Sequence, residues 1–446
     1  MFAGVRLKQS HGAPRRRTRR MPTAVVSACA VGAFLVGSST AGAAALRVPH
    51  ATVVRACRYA QTHGSKRARK RARRRCRSAH RRRHTSRRRT RGHGHIRRVS
   101  TPVVRGRFRV PGIAWYQNPL SRSVPDPSGL NVGSPDYYVY STGVDFPILH
   151  STDLVHFSSV GTAFAYRPSW VVQTGDWHPW APNVMSGYGS CPGTSSPVCF
   201  YMYYVGLSAK YNVNCVAVAT STTPAGPFTD HGPLTDGSQT GGDPPIGCGD
   251  NAGAGNIDPD PFRDTDGHPY LYVSTDWSCS TGGTPCSPVN GTLEPTISVI
   301  PLAPSLLSTT GPRQPLFGGQ LPWEQAGWGP VAEGPWMEKR NGIYYLFYSG
   351  GDWTRDYGMG VAVMVSPTGP PTKDSHNPIL RGTANVFSVG GGSTIIGPHG
   401  ADWMLYHGRI GSYGAPRQLF IDPVIWGPDG SVFVAGPTIT RQAPVP

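Results

Sequence analysis

The chain has 446 residues and a formal net charge of +20, but the positive charge is gathered at one end. Residues 1–99 carry 28 Lys or Arg and no Asp or Glu, whereas residues 100–446 carry 16 Lys or Arg against 24 Asp or Glu, a net of −8. This excludes a uniformly basic nucleic-acid-binding domain and reads as an acidic globular part with a basic arm.

In chain order, the first predicted element is an export signal over residues 1–45. Arg15–Arg20 supply a positive region, Ala24–Val36 an apolar run, and Ala41-Gly42-Ala43 small residues for cleavage. The run is short and rich in Ser, Gly and Ala, which is poor for spanning a bilayer, and no other segment is apolar enough to cross one. The expected destination is outside the cell, with wall association as an option.

Residues 46–100 form the arm, whose core reads KRARKRARRRCRSAHRRRHTSRRRTRGHGHIRR. Such a run cannot bury a core and is expected to be disordered. It lacks the interleaved aromatics of a nucleic-acid platform, so anionic wall polymers are the expected partner. A solvated spacer without a partner is the alternative.

From Thr101 the texture changes. Gly, Pro, Tyr and Trp are frequent while Leu, Lys and Glu are scarce, which favours short strands over helices. Five aromatic runs recur: YYVYSTG from Tyr137, FYMYYVG from Phe200, YLYVST from Tyr270, YYLFYSG from Tyr344 and WMLYHG from Trp403. Several follow turn signals such as Asp266-Gly267 and Asn341-Gly342, as the second strand of a hairpin does. A further β-rich run often follows, as in VAVATS from Val216 and VAVMVS from Val361. Each unit is about sixty to seventy-five residues, room for four short strands, so the pattern predicts an all-β, five-bladed β-propeller over residues 101–446. A β-sandwich is the alternative.

Six cysteines fall in this part, none with Cys-x-x-Cys spacing, so zinc is not expected and disulfides are. Short loops favour Cys191–Cys199 and Cys279–Cys286, leaving Cys215–Cys248, with other connectivities open.

Three acidic motifs precede aromatic hairpins by about ten residues, at the openings of three units. They are VPDPSGL with Asp126, NIDPDPF with Asp258 and Asp260, and VAEGPW with Glu333. An Asp-Pro pair alone is a turn initiator. Three acids in register with a repeat point instead at the channel that the inner strands of a propeller enclose.

The order DPS, WAP, IDP, EGPW together with the five-fold pattern resembles glycoside hydrolase family 43, the five-bladed propeller arabinanases, arabinofuranosidases and xylosidases. The likeness runs from about Gly112 to the C-terminus. It implies an inverting glycosidase acting on arabinose- or xylose-containing polysaccharide or oligosaccharide, as a monomer without a required cofactor. By the resemblance, Asp126 is the general base, Asp258 the group that tunes and orients, and Glu333 the general acid. Trp180, Asn183 and Arg417 would contact the substrate. The family usually has Asp where Asn183 stands. It also often has a histidine, sometimes liganding an axial ion, where Gly390–Ser393 lack one. That departure argues against a structural calcium, and no metal ligands are assigned. The functional alternative is a non-catalytic carbohydrate-binding propeller, held on wall polymers by its arm.

Overall fold

In the computed structural model the five aromatic runs become the second strands of five antiparallel sheets. The structure describes residues 115–133, 135–236, 245–249, 254–276 and 296–443. The expected signal, the basic arm and the Cys279–Cys286 pair lie outside the described residues.

The first blade holds β1 (Ser128–Gly133), β2 (Asp136–Tyr140), β3 (Pro147–Ser151) and β4 (Ser158–Thr162). The second holds β5 (Trp180–Tyr188), β6 (Val198–Leu207), β7 (Asn214–Ser221) and β8 (Thr229–Pro233). The third holds β9 (Gly255–Arg263), β10 (Pro269–Asp276), β11 (Thr296–Pro301) and β12 (Gln314–Gly318). A small hairpin, β13 (Gln325–Ala326) with β14 (Gly329–Pro330), leads into the fourth. That blade has β15 (Glu333–Arg340), β16 (Ile343–Gly350), β17 (Gly358–Met364) and β18 (Thr372–Lys373), with β19 (Leu380–Arg381) also on β17. The fifth has β20 (Val386–Ile396), β21 (Asp402–Ile410), β22 (Gln418–Trp426) and β23 (Val432–Val434). Within each blade the strands pair in sequence order.

The ring closes. Strand β1 touches β5 and β20, β9 touches β5 and β15, and β15 touches β20, so these five are the inner strands. One apolar cluster fills each of the five blade interfaces: Phe146 with Tyr204, Tyr203 with Leu271, Tyr272 with Leu346, Phe347 with Met404, and Tyr137 with Trp403. A blade is thus covered on both faces. That explains why the second strands are apolar at successive positions, as in the wholly buried Phe200–Gly206 of β6, rather than alternating. The Asn341-Gly342 turn is left-handed at both residues, the geometry that joins β15 tightly to β16.

The segment before β1 fastens the circle to the last blade. Tyr116 bridges Gln442 and Ser121 bridges Leu419. Asn118 accepts the Ile421 N–H and donates to the Ile421 carbonyl, both at 2.9 Å. Two predicted disulfides are present, Cys191–Cys199 and Cys215–Cys248.

Candidate active site

A corner recurs where the inner strands begin. Asp126-Pro127, Ala181-Pro182, Asp258-Pro259 and Gly334-Pro335 each place a left-handed residue (φ 48°, 42°, 53° and 59°) directly before proline. The ladders of β5, β9 and β15 slip register at these points. Proline brings no N–H to the ladder and so suits a bulge, while a left-handed non-glycine residue costs about 1–3 kcal/mol. In return each corner turns its neighbouring side chains toward the axis. This is the structural content of the acidic motifs, whose register with the repeat points at the channel.

The corners surround a cavity of about 710 Å³. Its walls include all six residues singled out from sequence: Asp126, Asp258 and Glu333 with Trp180, Asn183 and Arg417. They are brought together from blades one to five. Asp126 precedes β1, Trp180 and Asn183 belong to β5, Asp258 to β9 and Glu333 opens β15, while Arg417 directly precedes β22.

The carboxylates differ in surroundings. Arg417 donates to both oxygens of Asp126, at 2.8 and 3.1 Å, and Thr142 donates at 2.7 Å. Burial pulls the Asp126 carboxyl up, but Arg417 and these hydrogen bonds hold it below the usual carboxylate range. Glu333 accepts the Tyr357 hydroxyl at 2.7 Å. Its pKa is pushed up to about 7, first by burial and then by the charges of Asp126 and Asp276, against the pull of Tyr357 and Arg417. Asp258 accepts the Gly334 N–H at 3.0 Å and is raised well above its ordinary value, first by burial and then by Glu333 and Asp126. Asp258 and Glu333 therefore titrate as a pair, and a proton is retained between them at neutral pH.

Asn183 lines the cavity, and its amide donates to the buried Asp260 at 3.0 Å. Asp260 also accepts the Met337 N–H at 2.7 Å. It braces the second, third and fourth blades behind the wall. Burial pushes its pKa up to about 8. Trp180, on the cavity wall, stacks on His178, with ring centres 4.1 Å apart and planes 10° apart.

Sequence reasoning missed several wall residues. Asp276, at the end of β10, adds a fourth carboxylate and accepts the Asn214 amide at 2.6 Å. Trp328, Trp353 and Tyr357 also line the cavity. His407 lies well beyond Gly390–Ser393 in sequence. Two bulges in β20 nonetheless set Gly390 opposite His407, whose Nδ1 accepts the Asp126 N–H at 3.2 Å. A Cβ on Gly391 would stand 2.7 Å from an Asp126 oxygen and 2.8 Å from the His407 ring, so glycine is required there. Burial and the nearby Arg417 push His407 down to about 3, leaving it neutral; the ion pair of Asp126 is with Arg417.

This donor set does not suit an axial calcium, which takes six to eight oxygens. The nearby Asp126 is already committed to Arg417 and Thr142. Among the described residues there is no group of three or more His, Cys, Asp or Glu side chains placed to hold a metal ion.

Comparison with known proteins agrees with this architecture. A β-D-galactofuranosidase of Aspergillus niger is 31% identical over 237 residues, 52% of this chain and 56% of that protein. The chain thus spans little more than half the length of that relative. A probable arabinan endo-1,5-α-L-arabinosidase B of Aspergillus fumigatus is 25% identical over 319 residues, 63% of this chain and 77% of that protein. Among solved structures, a thermostable family-43 glycoside hydrolase superposes with a TM-score of 0.60 at 28% identity, covering 74% of this chain and 98% of that one. The Glycosyl hydrolases family 43 model matches residues 116–432, which takes in the acid corners and all five blades, and the chain belongs to that family.

Proposed function

We propose that the protein is an exported, inverting glycosidase that cleaves arabinose- or xylose-containing polysaccharide or oligosaccharide. The observation that carries this reading is the division of labour in the cavity: one carboxylate held ionised by an arginine, opposite in character to a carboxyl that keeps its proton to about pH 7. Inversion needs that pair. Asp126 takes a proton from water as the water attacks the anomeric carbon, and Glu333 gives its proton to the departing glycosidic oxygen. Room for the water requires the two carboxyls to stand about 6.5–9.5 Å apart. Asp258, sharing a proton with Glu333, keeps the acid from ionising early. Arg417 and Thr142 fix the Asp126 carboxylate against rotation, and His407 holds its backbone N–H.

The relatives named for arabinan and galactofuranose support a furanosyl or pentosyl substrate. Export and the arm's attachment to anionic wall polymers rest on residues 1–99 and their composition. The test is turnover by the full chain on arabinan, arabinoxylan, aryl pentosides and an aryl galactofuranoside. Release of pentose or pento-oligosaccharide is expected. Tight sugar binding without turnover on every one would leave a carbohydrate-binding propeller instead.

A further inference from the structure

The described aromatic residues are mostly interior, yet several large rings stand in solvent at one place. Six aromatic side chains are exposed among the described residues, and Trp328, Trp353 and Tyr413 are three of them. Trp328 and Trp353 line the cavity itself. Tyr413 lies in the β21–β22 loop, which ends at the wall residue Arg417, and Trp353 in the β16–β17 loop, which includes the wall residue Tyr357.

Trp353 and Tyr413 are joined by a chain of contacts. The guanidinium of Arg417 lies 5.4 Å from the Trp353 ring centre and that of Arg409 lies 5.9 Å from it. Arg409 pairs across β20 and β21 with Phe387, and Phe387 packs on Tyr413 with ring centres 4.6 Å apart. Arg355 lies 5.2 Å from the Tyr413 ring centre. Arg409 also donates to the Ala415 carbonyl, which ties the Tyr413 loop to the sheet. The two rings are 43% and 41% exposed and yet braced from beneath and beside. Single exposed aromatics need no explanation, but braced ones that continue a cavity outward do.

We infer that the glycan chain leaves the cavity between the fourth and fifth blades and lies on this strip, one sugar on Trp353 and a more distant one on Tyr413. A sugar ring offers an apolar C–H face to an aromatic ring and hydroxyls to its rim. The strip offers flat rings flanked by Arg355, Arg409 and Arg417, whose N–H groups suit hydroxyl oxygens. Stiff rings also lose little conformational entropy on binding. The occupant is therefore the continuation of a neutral pentose glycan beyond the cleaved bond, which makes the protein a reader of chain length as well as of linkage. This rests on the glycosidase reading.

The test uses the full chain and two oligosaccharide series, 1,5-linked arabino- and 1,4-linked xylo-oligosaccharides, beside an aryl pentoside. Wild-type kcat/KM should rise with chain length in one series. Tyr413→Ala should lower it about tenfold on the long members and leave the aryl pentoside unchanged, while Tyr413→Phe restores the long-chain rate. In parallel, calorimetry on the Glu333→Gln protein should show the longest oligomer bound about tenfold more weakly when Tyr413→Ala is added. An unchanged length dependence and unchanged affinity would overturn the strip, as would no binding of either series. Binding that weakens with Tyr413→Ala in a protein that turns over nothing would keep the strip and discard the glycosidase.

Discussion

Asp258 in the cavity and Asp422, the carboxylate that clasps the ring, are both largely withdrawn from water, yet they are held in opposite ways. Asp422, on β22, draws five donors among the described residues: the hydroxyls of Tyr116, Tyr406 and Thr438, the Asn118 amide and the Thr438 N–H. Burial pushes it up to about 6, and the donors restrain it. Among the described residues Asp258 has one donor, Gly334 N–H, and it faces Glu333, Asp126 and Asp276, all of the same sign. Burial alone therefore does not decide the state of an acid. Donors keep the clasp fastened, whereas crowded like charges keep a proton available where one can be used. The clasp serves stability, and the cavity gives up stability for chemistry.

The sharpest way to break that contrast is to remove the reacting groups. Glu333→Gln and Asp126→Asn should each lower kcat/KM on polymer by about a thousandfold, within the range of general acid or base catalysis, with thermal melts close to wild type. On an aryl pentoside Glu333→Gln should lose far less, because a phenolate leaves with little help. Equal losses on both substrates would remove Glu333 from the acid role.

The mirror experiment is Asp422→Ala. It strands several buried donors and should cost about 3 kcal/mol or more, read by denaturant unfolding. The pH–rate profile of the surviving folded protein should not move. A shifted profile would mean that clasp and cavity are not separable.

A finer effect is expected at Asp258. In the wild type the pair shares a proton, so the alkaline limb reports its second loss. Asp258→Asn leaves Glu333 without that partner, the acid ionises sooner, and the limb moves to lower pH. Movement to higher pH would reverse the assignment within the pair. Asp276→Asn removes a charge that also raises Glu333 and should move the limb in the same direction by less. A larger shift than at Asp258 would make Asp276 the principal tuning group.

The blades were legible because each second strand is covered on both faces, and that demand writes a dense aromatic run into the sequence. Asp126, Asp258 and Glu333 were legible because each sits at an inner-strand corner in register with those runs. Asp276, Tyr357 and His407 were not. They come from the ends of second strands or from the loops after them, and local text such as Ser274-Thr275-Asp276 carries no motif. His407 reaches Asp126 only because two bulges in β20 shift its register, a displacement that residue spacing cannot show. Asn183 was read as a substrate contact; it does line the cavity, but its amide also spends a donor on Asp260.

The central claim, that this cavity performs hydrolysis with Asp126 activating water and Glu333 protonating the leaving oxygen, is tested most directly by the stereochemistry of a single turnover. Proton NMR on the sugar first released from an aryl pentoside or oligosaccharide should show the anomeric configuration inverted, before mutarotation mixes the forms. A first-formed product of retained configuration would contradict it, since that outcome requires a covalent glycosyl intermediate on one of these carboxylates.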